Sequence, residues 1–165
     1  MGTEKLPVSS SARQYLMRRF VIMTDIAAPP ERVWQVMSDV ERWAEWTPSV
    51  TSVTRQEGAP FGVGTRVMIR QPKFPPAVWT VTAIEPGRSF TWVAAGPGFR
   101  SVGTHRVDAA PTGSRATLSL ELEGPLGGLF GRLTRGITER YIRFEANGLK
   151  ARSEDPAYRR PMAGS

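Results

Sequence analysis

A strict alternation of apolar and polar residues runs through the stretch SRATLSLELEG, residues 114–124. Its apolar positions are Ala116, Leu118, Leu120 and Leu122, and the residues between them are polar or charged. Successive side chains of a strand point to opposite faces, so the pattern predicts a strand with one dry and one wet face. Such strands are typical of antiparallel sheets that pack one face on a core.

Other stretches fit the same sheet. The predicted strands are residues 18–26, 49–56, 65–72, 77–84, 88–94 and 99–108, and turn signals such as EPG, GPG and PTG separate the later ones. Three of them place a pair of large apolar side chains on one face: Val67 with Ile69, Trp79 with Val81, and Phe90 with Trp92.

Helical patterns occupy the two remaining regions. AAPPERVWQVMSDV predicts a helix that starts at its prolines, and ERWAEW predicts a second short helix ended by Pro48. The stretch Pro125 to Arg152 predicts one long helix whose first half is weakened by four glycines. Its apolar arc contains Leu126, Leu129, Phe130, Leu133, Ile137, Tyr141 and Phe144. The chain is therefore expected to be an α+β domain with a seven-stranded antiparallel sheet.

Composition excludes several kinds of site. The chain has no cysteine and one histidine, which excludes thiolate chemistry and argues against a histidine-rich metal site. Neither a Walker motif nor a G-x-G-x-x-G motif occurs, so no cofactor is expected, and no acidic loop suggests a metal. The formal net charge is +7, but the arginines are scattered, which favours a solvated basic surface over a nucleic-acid-binding face.

Length and hydropathy predict one domain, residues 18–153, with flexible tails at 1–17 and 154–165. The start of the chain lacks the apolar core of a signal peptide, and no stretch approaches a membrane span. A cytoplasmic location is therefore expected. The pattern does not specify an oligomeric state.

Three segments also resemble a known family. IAAPPERVWQVMSDVERWAEWTPSV, the pair QPKFPPAVWTV and RSFTWVAAGPG, and GSRATLSLELEGPL before a long helix are similar to the START-like (SRPBCC) superfamily. Within it, they resemble the bacterial polyketide cyclase/dehydrase and lipid-transport branch. The resemblance implies a helix-grip fold, in which a curved seven-stranded sheet wraps around the long C-terminal helix. Since members include carriers, receptors and cyclases, the fold alone does not assign a function.

The resemblance also implies a cavity between sheet and helix, although the inward apolar residues could equally fill a solid core. A cavity with aromatic walls and few polar groups suits a hydrophobic small molecule. The residues predicted to line it are Trp46, Val67, Ile69, Trp79, Val81, Phe90, Trp92, His105, Leu118, Leu120, Leu133, Ile137 and Tyr141.

His105 is the one ionisable group that the strand phase directs inward. If Val107 faces the core, then Gly103 and His105 do too, while Thr104, Arg106 and Asp108 face outward. The ring could be a packed core residue, a ligand contact or a general acid–base. Ser101 shares its face, but residues two apart on a strand are about 6.6 Å apart, too far for a triad hydrogen bond.

Three functions remain open from the sequence. The first is binding or transport of a hydrophobic, lipid-like or polyketide-like molecule. The second is a cyclase or dehydratase in which His105 is the acid–base and Tyr141 an orienting hydrogen-bond donor. The third is an interaction module that uses the basic surface. Arg140, inside the apolar arc, could meet a ligand carboxylate or only extend to solvent.

Overall fold

A computed structural model describes residues 17–56 and 58–158 of the chain. Within them, one antiparallel sheet of seven strands has the order β1-β7-β6-β5-β4-β3-β2. The strands are β1 (Arg18–Ile26), β2 (Ser52–Arg55), β3 (Arg66–Gln71), β4 (Phe74–Glu85), β5 (Ser89–Gly96), β6 (Phe99–Ala110) and β7 (Gly113–Glu123). The predicted antiparallel sheet and the helix-grip fold are confirmed.

Helices cover the dry face of the sheet. They are α1 (Pro30–Ser38), a 3-10 helix (Val40–Glu45), α2 (Gly127–Leu133) and α3 (Arg135–Glu154). The alternation predicted for β7 is confirmed, since Ala116, Leu118 and Leu122 are buried. Val33 and Met37 of α1 and Leu149 of α3 join Ala116 and Leu118 in one core.

The predicted single C-terminal helix is broken at Thr134, whose backbone leaves helical geometry and separates α2 from α3. Thr134 ends α2 by donating both its backbone N–H and its Oγ1 hydroxyl to the carbonyl of Phe130. Gly131 allows α2 to seat on β1, because a Cβ there would lie 2.6 Å from the side chain of Arg18. Gly131, one of the glycines that weaken this region, thus serves the close packing of a separate short helix.

The domain extends slightly past the predicted boundary at residue 153. Glu154 is the last residue of α3, and the ring of Tyr158 is buried beside Arg152 and Arg32, whose guanidinium carbons lie 4.1 and 4.7 Å from its centroid. The rest of the two predicted tails, residues 1–16 and 159–165, lies outside the described residues.

Gly148 sets how closely α3 approaches the 3-10 helix. A Cβ at this position would overlap the carbonyl oxygen of Trp46 and lie 2.8 Å from the Trp46 ring. We expect Gly148→Ala to lower the free energy of unfolding by about 1–3 kcal/mol, although alanine is the better helix former. Gly136, also in α3, has no atom within 4 Å of its Cβ position, so Gly136→Ala is the matched control.

Urea denaturation of both variants tests this expectation. Gly136→Ala should be neutral or more stable by up to about 1 kcal/mol. If the two variants changed stability alike, the close approach at Gly148 would not limit the packing of α3.

Candidate ligand-binding site

A cavity of about 100 Å³ lies between the inner face of the sheet and α3. The residues around it are mainly apolar, with a few polar groups at the helix side and at the end of β3. They are Trp43, Val50, Ile69, Gln71, Trp79, Trp92, Gly103, His105, Leu118, Ser119, Leu120, Thr138, Ile142 and Glu145.

Three tryptophans form much of the cavity wall. Trp79 and Trp92 point inward from the neighbouring strands β4 and β5, and their ring centroids are 5.4 Å apart. Trp43 reaches them from the 3-10 helix, 5.3 Å from Trp92, and is held by donation from its Nε1 to the carbonyl of Met37 at 3.1 Å. The wall is therefore rigid and aromatic on three sides.

His105 contributes the main polar contact inside this wall. Its side chain is buried and its Nε2 lies 2.5 Å from Oε1 of Glu145 on α3. When Glu145 is ionised it can only accept, and the hydrogen of this contact is then on Nε2 of His105. The contact ties the centre of β6 to α3 across the cavity.

The other ring nitrogen, Nδ1, is buried and has no hydrogen-bond partner among the described residues. Phe90 stacks on the ring with centroids 4.7 Å apart, and Trp43 lies 5.1 Å away. Buried polar atoms normally have a partner, so Nδ1 is an unsatisfied atom within a residue of the cavity wall.

Gly103, two residues before His105, lets the Trp92 ring pack directly against the backbone of β6. A Cβ there would lie 2.5 Å from Nε1 of Trp92 and 3.5 Å from the Trp79 ring. The sequence predicts that Gly103, His105 and Val107 lie on the inner face of the sheet. The structure agrees, since all three are buried.

The thirteen residues predicted to line a cavity separate into two sets. The first set surrounds it: Ile69, Trp79, Trp92, His105, Leu118 and Leu120. The second does not: Trp46, Val67, Val81, Phe90, Leu133, Ile137 and Tyr141. Val67, Val81 and Phe90 belong to the packed core, and Trp46 packs on Trp43 at 5.4 Å.

The predicted helix residues fall on a different face of the C-terminal segment. Leu133 and Ile137 are exposed, and the Tyr141 hydroxyl accepts the backbone N–H of Lys73 at 3.1 Å, away from the cavity wall. The residues of α3 that face the cavity are Thr138, Ile142 and Glu145. Thr138 and Glu145 are polar, so a search for an apolar arc along the helix could not identify them. The break at Thr134 also shifts the rotational phase of α3 relative to the single helix that the sequence predicts.

Glu145 is therefore the functional candidate that sequence reasoning missed. A carboxylate is normally assigned to the solvent face of a helix, and no local motif marks it. Its spacing from Thr138 and Ile142, seven and three residues, is the one signal that places it on their face. Arg140, by contrast, is exposed and lies over the Phe144 ring at 5.2 Å.

A group of aromatic rings lies beyond Gln71, outside the residues that line the cavity. Gln71, in the wall, pairs across a hairpin with Phe74, whose ring lies 5.6 Å from Tyr141 and 6.4 Å from Phe130 of α2. A cavity of about 100 Å³ is smaller than the ~150 Å³ that holds benzene and the ~300 Å³ of ordinary ligand pockets. A larger ligand therefore requires the elements around the cavity to move.

Surface charges around the domain are largely engaged in ion pairs. Arg106 and Arg88, for example, both donate to Asp108, and these hydrogen bonds lower the pKa of that carboxyl. Within residues 17–56 and 58–158, no three acidic or histidine side chains are grouped to hold a metal. No helix in the same ranges is long and apolar enough to cross a membrane.

Comparison with known sequences assigns the chain to a protein family. A family model described as polyketide cyclase/dehydrase and lipid transport matches residues 17–154. Uncharacterised proteins of Mycobacterium tuberculosis and Mycobacterium bovis are each 30% identical over 117 residues, which cover 67% of this chain and 68% of theirs.

Solved structures share the fold at low identity. The Zhui aromatase/cyclase of a Streptomyces species superposes with a TM-score of 0.68 at 20% identity, over 84% of this chain and 94% of that one. The protein Ara h 8.0201 gives a TM-score of 0.66 at 13% identity, over 83% of this chain and 97% of its own. The di-domain aromatase/cyclase StfQ gives 0.67 at 12% identity, over 86% of this chain and 52% of that one.

Proposed function

Since the chain belongs to the polyketide cyclase/dehydrase and lipid-transport family, we propose that it binds a hydrophobic small molecule in the cavity under α3. The observation that carries the proposal is the combination of an aromatic wall with one buried polar pair, His105 and Glu145. Aromatic and aliphatic walls supply apolar contact, and a few fixed polar groups orient a ligand within them.

The unpartnered Nδ1 of His105 defines what the ligand must offer. In the tautomer whose Nε2 donates to Glu145, Nδ1 is the acceptor of the ring. A ligand hydroxyl, such as a phenol or an enol, would donate to this atom while its apolar part lies against Trp43, Trp79 and Trp92. The proposed ligand class is therefore an apolar or aromatic molecule with at least one hydroxyl.

A binding test can use phenol, which requires the cavity to widen slightly, and 1-naphthol, which requires it to widen further. We expect both to raise the melting temperature, because a ligand that binds only the folded state stabilises it. Gly103→Val should abolish this effect, since its side chain would displace the Trp92 ring that forms part of the cavity wall.

Gly136→Ala serves as the control, because its Cβ meets nothing within 4 Å. The proposal fails if neither compound binds and native mass spectrometry of protein exposed to cell extract shows no bound hydrophobe. It also fails if Gly103→Val binds both compounds as tightly as the unaltered chain.

A second candidate, a cyclase or dehydratase, is favoured by the His105–Glu145 pair itself. A carboxylate that holds one ring nitrogen orients the other as a base, which is the logic of acid–base pairs in hydrolases. His105 Nδ1 could remove an acidic proton between two carbonyls and return it to the oxygen formed on carbon–carbon bond closure. Glu145, not Tyr141, would then be the orienting partner.

The cyclase or dehydratase hypothesis is tested with a synthetic poly-β-keto thioester, whose products are analysed by mass spectrometry. We expect the chain to favour a ring pattern different from the one that forms spontaneously. In His105→Ala, the rate at which this different pattern forms should fall at least about a hundredfold. An unchanged product pattern with a bound thioester would support a carrier and exclude this chemistry for that substrate.

A further inference from the structure

Four large apolar side chains form an exposed row on the C-terminal segment. Leu126, Leu129, Leu133 and Ile137 are 47%, 55%, 76% and 37% exposed, and they are spaced three, four and four residues apart. We call these four residues the leucine ridge. Isolated apolar residues on a surface are ordinary, but contiguous apolar rows on a monomer usually mark an interaction site.

Packing on the opposite side of α2 fixes the direction of the ridge. Phe130 stacks on Phe99 with centroids 4.3 Å apart, and the buried Gly131 seats the helix against Arg18. Gly98 also lies against Leu126, because a Cβ there would approach that side chain within 2.7 Å. Since the inner side of α2 is already filled, the ridge cannot turn inward to join the core.

Basic side chains surround the ridge. Arg132 lies within it, Arg140 is one turn beyond Ile137, and Lys73 is brought near by its backbone hydrogen bond to Tyr141. Among the described residues, none of these three cations has an ion-pair partner within 4.0 Å.

The acidic residues near the ridge are neutralised. Glu123 pairs with Arg100 at 2.6 Å, and Glu139 pairs with Arg135 at 2.8 Å. The hydrogen bond from Arg135 also keeps the pKa of Glu139 below its usual value. The rim of the ridge therefore has an excess of positive charge.

We propose that the leucine ridge docks the protein on the surface of an anionic lipid bilayer. An apolar helix face bordered by lysine and arginine is the chemistry of helices that lie in the membrane interface. The ridge covers twelve residues on α2 and the first turn of α3, which suits shallow insertion and not crossing. The same face would present the aromatic group of Phe74, Phe130 and Tyr141 to the bilayer.

The charge around the leucine ridge favours an anionic bilayer over the other possible occupants. The segment before Met17 carries Lys5 and Arg13 against Glu4, so it adds positive charge to a rim that is already basic. A second copy of the chain would bring another +7. Anionic lipid headgroups supply the opposite charge together with an apolar phase, and each nearby basic residue adds to the attraction.

Vesicle sedimentation of the full chain tests the proposal and does not depend on a cavity ligand. Vesicles of phosphatidylcholine with about one third phosphatidylglycerol should bind, and pure phosphatidylcholine vesicles should bind at least about tenfold more weakly. Leu129→Asp with Leu133→Asp should weaken binding about tenfold or more, because two inserted side chains become charged. Arg132→Glu should also weaken it and reduce its dependence on salt.

Val63→Asp is the matched control, because Val63 is 66% exposed but lies in the loop between β2 and β3. It should bind vesicles like the unaltered chain. Absence of sedimentation with anionic vesicles would overturn the proposal, as would equal binding by the Leu129→Asp, Leu133→Asp variant.

Two further outcomes would show that something other than a bilayer covers the leucine ridge, and each would overturn the proposal. One is a dimer in sedimentation velocity that this double variant abolishes. The other is vesicle binding that appears only after residues 1–15 are removed, which would show that the N-terminal segment covers the ridge. Circular dichroism of each variant should match the unaltered chain, because the substituted side chains are exposed.

Discussion

Trp43→Ala is expected to lower the free energy of unfolding by about 3–5 kcal/mol, the cost of truncating a fully buried tryptophan. Trp43 is 2% exposed, and its ring lies between Trp46, Trp92 and His105 at centroid distances of 5.4, 5.3 and 5.1 Å. Truncation therefore removes packing from three sides and joins new space to the cavity.

Indole, the missing ring, should restore part of this loss. We expect it to raise the midpoint of urea denaturation of Trp43→Ala, monitored by circular dichroism, by more than that of the unaltered chain. Trp34→Ala is the control, since Trp34 is half-buried and its ring contacts Phe90 at 6.3 Å.

Trp43→Leu keeps more of the apolar volume and provides a folded reference if the alanine variant is too unstable to purify. Equal losses for Trp43→Ala and Trp34→Ala, or equal responses of both to indole, would contradict the role of Trp43 as a wall of the cavity.

Glu145→Leu is expected to lower the free energy of unfolding by about 1–3 kcal/mol, because it leaves the buried Nε2 hydrogen of His105 without an acceptor. Glu145→Gln should cost less, since an amide oxygen can still accept that hydrogen. The two variants differ little in size, so the difference between them reports the hydrogen bond to His105.

Replacing both partners should cost less than the sum of the single changes. His105→Phe with Glu145→Leu removes both polar groups together and retains stacking on Phe90. Urea denaturation of the two single variants and the double variant gives the coupling energy, expected at about 1.5 kcal/mol or more. Additive losses would mean that the contact between β6 and α3 contributes nothing to stability.

Much of the sheet could be predicted because its signal is local. The alternation in β7 fixes which side chains face the core, and the phase of β6 directs His105 inward beside Gly103. Each of these conclusions needs only the period of two that strand geometry imposes. The helix-grip order follows from the succession of such strands and the C-terminal helical pattern.

The helix side of the site could not be predicted in the same way. Glu145 faces inward because His105 on the sheet satisfies its carboxylate, and His105 is forty residues away from Glu145 in sequence. Leu133 and Ile137 have the hydropathy of core residues but lie on an exposed face. Hydropathy assigns burial correctly only where no tertiary contact or external surface reverses it.

The size of the cavity also lies beyond the sequence pattern. The inward rings Trp79, Trp92 and Phe90 could fill the space or surround it, and their alternation is the same in either case. Only the positions of Trp43, Gly103 and Ile142 determine that about 100 Å³ remains open.

The central claim is that a ligand in this cavity contacts His105, and one NMR measurement tests it most directly. His105 is the only histidine in the chain, so untagged protein labelled with ¹⁵N-histidine gives the ring nitrogens of this residue alone. Titration with 1-naphthol should shift the Nδ1 signal most, with a smaller change at Nε2, which donates to Glu145. Binding of 1-naphthol, detected by thermal stabilisation, that leaves both ring signals unmoved would contradict the claim.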